Sequence, residues 1–172
     1  MKILGIESSC DETAAAIIQG SKNDTKVNVL SNVIASSLSL HTKTGGIIPD
    51  VAAREQVKHI IPVINKAIKE SSLKIKDIDS IAVTYGPGLI GSLLVGVETA
   101  KTLAFIWQKP LIAVNHLYGH IYANFINSEL YPKRYTLNAN IEFPSICLIV
   151  SCGHTDLVLM ESHKKIKWLG GT

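Results

Sequence analysis

The sequence predicts a mixed α/β fold, a sheet of parallel and antiparallel strands covered by helices, and three features lead there. Short apolar runs separated by turn residues open the chain, a helical periodicity then alternates with short strand patterns, and the opening pattern returns near the end. A meander joins antiparallel neighbours, whereas strands linked through helices run parallel, so one sheet must hold both pairings.

The runs "KILGIESS", "TAAAIIQG" and "KVNVLSNVIAS" read as a three-stranded antiparallel meander, with "GSKND" as a turn. From Pro49 through Ser71 the period changes. Val51, Val57, Ile60, Ile61, Ile64 and Ile68 recur at helical spacing, which predicts a long amphipathic helix with Pro62 as its one irregularity. "SIAVTY" is a buried-strand pattern and "GPG" a sharp turn, while "LIGSLLVGVETAKTLAFIWQ" predicts an apolar helix lying deep in the fold. "PLIAVN" predicts another strand and "HLYGHIYANFINSEL" another helix. After the polar stretch "YPKRYTLNANIE", the runs "SICLIVSC", "TDLVLMES" and "KIKWLGGT" predict a second three-stranded meander.

The two meanders share more than their period. "IESSCDETAAAI" and "LIVSCGHTDLVL" align so that Ser9, Cys10 and Thr13 fall on Ser151, Cys152 and Thr155, the pattern of an internal duplication. The first copy continues into three helices and two further strands, whereas the second reaches Thr172 directly after its meander. One face of that second sheet is therefore expected to lie bare. The expected organisation is a first lobe over residues 1–130 and the start of a second, incomplete lobe over 144–172, the N-terminal portion of a longer two-lobed protein.

Of the 172 residues, 47% are hydrophobic and 18% charged, with a formal net charge of +3. The basic residues are scattered, so the charge permits nucleic-acid contact without arguing for it. No run of eighteen apolar residues appears and the opening residues lack a signal-peptide core, which predicts a cytoplasmic protein with no membrane partner. Cys10, Cys147 and Cys152 are too few and too unevenly spaced for a disulfide framework or a zinc knuckle.

Three stretches can carry chemistry. The hairpin "ESSCDET" presents backbone N–H groups and short hydroxyls, the donors that hold phosphate oxygens, and Asp11 and Glu12 add carboxylates able to take a proton or hold a metal-bound phosphate. A plain turn stabilised by Asp11 is the other reading. "HTKTGGIIPD" and "YGPGLIGS" mark tight turns or close approaches of the backbone. In "NHLYGHIYANFI" a helical spacing puts His116, His120 and Asn124 on one face, with Leu117, Ile121 and Phe125 on a neighbouring buried face. The histidines open a helix after a strand end, where ligands collect in α/β sheets, and the positive helix end favours neutral His116. An incidental pair is the competing reading. A zinc peptidase is excluded, because Leu117 stands where H-E-x-x-H needs its glutamate.

Taken together, "ILGIESSCDETAAAI", "HTKTGGIIPDVAAREQ", "YGPGLIGSLLVG", "VNHLYGH" and "LIVSCGHTDLV" resemble the TsaD family of tRNA threonylcarbamoyladenosine-forming transferases, in family order and across essentially the whole chain. The resemblance implies an actin-like (ASKHA, RNase H-like) lobe followed by an incomplete second lobe. It implies transfer of a threonylcarbamoyl group from threonylcarbamoyl-adenylate to N6 of adenine 37 in tRNAs reading codons that begin with A. It implies a divalent metal, iron ahead of zinc, on His116 and His120, and substrate contacts at Leu148, Ile149, Val150, Ser151 and Cys152. Asp11 and Glu12 match the family's acidic pair near the nucleotide phosphates, and the implied partners are tRNA, a paralogous protein and an ATPase of the same pathway.

Two departures bear on that expectation. The family usually has glycine where Cys152 stands, and the family's remaining metal ligand and nucleotide segments belong to a C-terminal half outside this sequence. The chain alone is therefore expected to bind metal weakly and to transfer poorly. The alternatives are a nucleotide-binding kinase relative on the same fold, which would use magnesium on carboxylates rather than imidazole, and a non-catalytic lobe docking a paralogous partner.

Overall fold

The structure is a computed structural model and describes residues 1–21, 27–42, 45–127, 141–151 and 154–172. Packing divides the chain into two compact units, Met1–His116 and Leu117–Thr172.

The first unit contains β1 (Lys2–Glu7), β2 (Glu12–Gln19), β3 (Val27–Ser36), α1 (Leu38–His41), α2 (Pro49–Glu70), β4 (Ser80–Gly86), α3 (Ile90–Trp107) and β5 (Leu111–Asn115). Its strands lie in the order β5-β4-β1-β2-β3. β1 pairs antiparallel with β2, from Lys2 opposite Gln19 to Glu7 opposite Ala14, and parallel with β4, from Ile3 beside Ser80 to Ile6 beside Val83. β4 in turn runs parallel to β5. The meander and the mixed pairing are as the sequence predicts. The carboxyl ends of β1, β4 and β5 consequently share one edge of the sheet, with the β1–β2 turn beside them.

Alternation in β1 and β2 sends Leu4, Ile6, Ala15 and Ile17 to one face, where they meet Ile60, Val63, Ile64 and Ala67 of α2 and Ala100 and Ala104 of α3. Two expectations are corrected here. The buried stripe of α2 runs through Ala52, Gln56, Ile60, Val63, Ile64 and Ala67, leaving Val57 and Ile61 at 63% and 46% exposure. The helix also continues through Pro62. More markedly, α3 does not lie deep: only Ser92, Gly96, Ala100 and Ala104 are buried, while Ile90 and Phe105 are 79% and 78% exposed. By length and composition α3 is apolar enough to cross a membrane. Yet the face that packs is the one built from its smallest residues, because these let the helix backbone approach the sheet.

The second unit takes most of α4 (His116–Tyr122), a 3-10 turn over Ala123–Phe125, the two-residue β6 (Ile126–Asn127), and β7 (Ser145–Ser151), β8 (His154–Ser162) and β9 (Lys165–Gly171). The helix is thus shorter than the run "HLYGHIYANFINSEL" predicts, and Asn124 lies in the 3-10 turn. β7, β8 and β9 form the second antiparallel meander, in that order. Ile149, Val158 and Met160 pack with Ile121, flanked by Leu117, Phe125, Cys147 and Ile166. On the opposite face Ile146, Leu148 and Val150 are 66%, 64% and 72% exposed, the bare sheet face that the pattern predicts.

At Gly96, α3 lies close against the residue that follows β1. A Cβ there would lie 2.3 Å from Ser8 Oγ, which donates to the carbonyl of Ser92 at 2.8 Å. Gly96→Ala is therefore expected to destabilise the fold by about 1–3 kcal/mol through overpacking and loss of that bond, read as a lowered denaturation midpoint. An unchanged midpoint would show that the helix has slack at this point.

Candidate functional site

The most densely bonded polar group at the shared sheet edge is Glu7, the last residue of β1. Its Oε2 accepts from Thr84 Oγ1 of β4 at 2.6 Å and lies 3.0 Å from Nδ1 of His116, which follows β5. Its Oε1 accepts from the Ser9 N–H, and Ser9 Oγ is itself 3.1 Å from His116 Nδ1. One carboxylate therefore ties together three parallel strand ends and the first residues of the hairpin turn.

The electrostatics follow from those contacts. Burial pushes the Glu7 carboxyl up, but hydrogen bonds from His116, Thr84 and Ser9 outweigh it and hold the pKa at about 2. The bond to Glu7 raises the pKa of His116 above its ordinary value, against the opposing effect of burial. This is opposite to the direction expected from the helix terminus. α4 has only 7 residues, and a carboxylate in direct contact outweighs the partial charge of so short a helix. Facing a carboxylate, Nδ1 is the ring nitrogen that carries the proton in the neutral imidazole, so Nε2 carries the lone pair.

The turn that bears Asp11 and Glu12 is held from behind. Ser37 Oγ donates to the Asp11 carbonyl at 2.7 Å, and the Leu89 N–H to the Ser9 carbonyl at 2.8 Å. Ser92 Oγ donates to the Cys10 carbonyl at 3.0 Å. Asp11 is half-buried in the turn and Glu12 is exposed at the start of β2. One residue from each glycine-bearing stretch packs here: buried His41 contacts Ser37 Oγ through Nε2 at 3.1 Å, and a Cβ at Gly88 would lie 2.5 Å from the Ser9 carbonyl oxygen, whereas a Cβ at Gly45 or Gly46 would meet nothing within 4 Å.

In the second unit a cleft of about 240 Å³ is lined by His120, Ile121, Asn124, Cys147, Leu148, Ile149 and Val150. It brings His120 together with three of the residues expected to contact substrate, and adds Asn124 and Cys147. Asn124 Nδ2 donates to the Ile121 carbonyl at 2.9 Å, and burial pushes the Cys147 thiol up. Ser151 closes β7, and Cys152 lies outside the described residues.

His116 and His120 are both on α4, at i and i+4, and imidazole nitrogen suits iron or zinc. The His116–Glu7 contact is also the carboxylate support that metal-ligating histidines commonly have. Among the described residues no group of three or more His, Cys, Asp or Glu side chains is placed to hold an ion.

Sequence reasoning missed Glu7, although it stands in the quoted hairpin. The available signal was a charged residue ending an otherwise apolar central strand. It also missed Ser37, His41 and Ser92, whose roles arise only from chain segments meeting in space.

Close approach at Gly88 gives a direct test. Gly88→Ala is expected to displace the Ser9 carbonyl and shift the amide resonances of the turn, with a loss of about 1–3 kcal/mol in stability. Resonances of Ser9 to Asp11 left in place would contradict the packing described.

Residues 28–172 match the family described as "TsaD: tRNA N6-adenosine threonylcarbamoyltransferase". A curated relative of that name from Persephonella marina is 48% identical over 172 residues, covering 100% of this chain and 45% of the relative. One from Thermomicrobium roseum is 51% identical over 177 residues, again 100% of this chain and 45% of the relative. The chain thus spans about half the length of the curated relatives it matches. Among solved structures, YeaZ from Pseudomonas aeruginosa superposes with a TM-score of 0.54 at 16% identity, covering 99% of this chain and 66% of that one. The Aquifex aeolicus PPX-GPPA enzyme gives 0.51 at 12% identity, over 98% and 52%. Both are actin-like proteins, and the mixed sheet described above is of that fold. With the family's pattern matched from Asn28 to the last residue and relatives near half identity along the whole chain, the protein belongs to the TsaD family.

Proposed function

We propose that this chain supplies the first actin-like lobe, residues 1–130, and the start of the second, 144–172, of a cytoplasmic tRNA N6-adenosine threonylcarbamoyltransferase. The observation that carries the reading is the Glu7 cluster. A carboxylate-supported histidine stands at the carboxyl ends of parallel strands, beside a hairpin whose carbonyls are bonded from behind.

The substrate in this reading is threonylcarbamoyl-adenylate, a mixed anhydride, and the acceptor is N6 of adenine 37 in tRNAs that read codons beginning with A. The exocyclic amine attacks the carbamoyl carbon, the bond to the adenylate phosphate breaks, and AMP leaves. Three demands follow: hold a phosphate, polarise a carbonyl, and accept a proton from a weakly nucleophilic amine. The hairpin amides answer the first. Asp11 or Glu12, on the same turn, takes the proton. His116 and His120 would hold the divalent metal, iron ahead of zinc, and when bound it supplies Lewis-acid polarisation of oxygen. Glu7 fixes the orientation and tautomer of His116. The cleft lined by Leu148, Ile149 and Val150 receives the substrate, and the family resemblance adds Ser151 and Cys152 as substrate contacts. The pathway's paralogous and ATPase proteins act as partners.

With two histidines but no third metal donor among its described residues, the chain alone binds metal weakly and transfers poorly. The test is therefore made on the chain fused to the C-terminal half of the Persephonella marina relative, with preformed adenylate, tRNA and partner proteins. Asp11→Ala or Glu12→Ala, whichever removes the base, is expected to lower turnover by about 10²–10⁴-fold. Full turnover in both variants would refute the proton-transfer role, and absence of transfer by the parent fusion would refute the functional reading.

A further inference from the structure

Tyr85 breaks the pattern of its strand. Side chains alternate along β4, and Ile81 and Val83 are buried in the core shared with α2 and α3, at 0% and 3% exposure. Alternation would send Tyr85 to that same face, yet its exposure is 56%. The β4–β5 register slips at this residue: Thr84 lies beside Val114 and Gly86 beside Asn115, which leaves Tyr85 without a partner in the ladder. Such an extra residue is rare between parallel strands, and bulges gather next to active sites, where they re-aim a side chain.

Both flanks of the bulge are tied to the Glu7 cluster. Thr84 Oγ1, one residue before, donates to Glu7 Oε2 at 2.6 Å, and the same oxygen lies 3.0 Å from His116 Nδ1. Asn115, opposite Gly86, directly precedes His116. Beyond the bulge, the chain passes against Ser9 at Gly88, and the Leu89 N–H donates to the Ser9 carbonyl at 2.8 Å. An aromatic ring is therefore carried at the carboxyl edge of the sheet on a backbone held from both sides, beside the residues proposed to work on the carbamoyl group. Phe105, on α3, is more exposed at 78%, but it lies near the far end of its helix, away from this edge.

We infer that Tyr85 is a substrate-binding residue for the acceptor, a ring on which adenine 37 of the tRNA stacks as its N6 approaches the carbamoyl carbon. The inference rests on the reading of this chain as part of a tRNA-modifying transferase. Bases of single-stranded RNA loops are recognised by being splayed out and stacked on aromatic side chains. A free nucleotide, in contrast, sits in a concave pocket that buries most of it. A half-exposed ring on a sheet edge suits a base delivered from solution by a larger molecule, so the acceptor is favoured over the adenine of the adenylate.

The test is binding of a fluorescein-labelled anticodon stem-loop RNA to the chain, with adenine or an abasic nucleotide at position 37. Tyr85→Ala is expected to weaken binding of the adenine-containing RNA by about fivefold or more. Tyr85→Phe keeps the ring and should bind as the parent does, as should Phe105→Ala. The abasic RNA should bind the parent as weakly as the intact RNA binds Tyr85→Ala, and it should lose nothing further on that variant, because ring and base form one interaction. Parent-like affinity in Tyr85→Ala, or an equal loss on both RNAs, overturns the inference while leaving the tRNA reading intact. Weakened AMP binding with unchanged RNA affinity in Tyr85→Ala assigns the ring to the adenylate and overturns it as well. A parent chain that does not bind the stem-loop overturns the tRNA reading and the inference with it. Should Tyr85→Ala fail to fold, Tyr85→Thr, which suits a strand and lacks the ring, decides by the same outcomes.

Discussion

A single carboxylate organises the carboxyl-end edge of this sheet in space. Glu7 ends the central strand β1 and accepts from Thr84 on β4, from Ser9 in the turn and from His116 beyond β5. Thr84 and His116 come from distant chain segments, so their bonds form only when the parallel register of β1, β4 and β5 is correct, whereas the Ser9 bond is local to the turn. Burying a carboxylate is unfavourable, and three hydrogen bonds to its ionised form reverse that and keep it charged. The same contacts set the position of the imidazole and the entry of the hairpin, which links the sheet's topology to the chemistry proposed for it.

Behind the turn, the structure spends core positions on polarity. Gln56, Ser92 and Ser8 are buried on or against the helices, and all of them bond the turn or its immediate supports. Small residues on α3 make this possible. Gly96 lets the helix approach Ser8, and Gly88 lets the chain pass against Ser9. An apolar helix with large side chains on this face would pack more surface but hold the turn at a distance. The exposure of Ile90 and Phe105 is the visible result of placing the small residues inward.

Much of the architecture was legible from periodicity alone. Both meanders, the long helix from Pro49 and the strands before and after α3 stand where their patterns predict, because alternation and helical spacing are local signals. The errors have a common origin. Hydrophobicity counts placed α3 in the core and Val57 and Ile61 on the buried stripe, whereas packing selected side-chain size and angular position around the helix. The expected helix beyond Tyr122 likewise yielded to a 3-10 turn. For the site, motifs pointed to Asp11, Glu12, His116 and His120 because their residue types carry chemistry on sight. Glu7 and Gln56 did not announce themselves, since their roles depend on partners 109 and up to 48 residues away in the chain.

Both segments of the expected internal repeat form antiparallel meanders: β1–β2 and β7–β8 are hairpins, each followed by a third strand. They differ at the turn. The first opens over Ser8 to Asp11 between its strands, while the second pairs Ser151 with His154 directly. The claim on which everything else rests is that Glu7 fixes His116. The most direct measurement is the ring ¹⁵N spectrum of His116 at alkaline pH, where the imidazole is neutral. The predicted result is a protonated Nδ1 and a bare Nε2; a protonated Nε2 with a bare Nδ1 would contradict it.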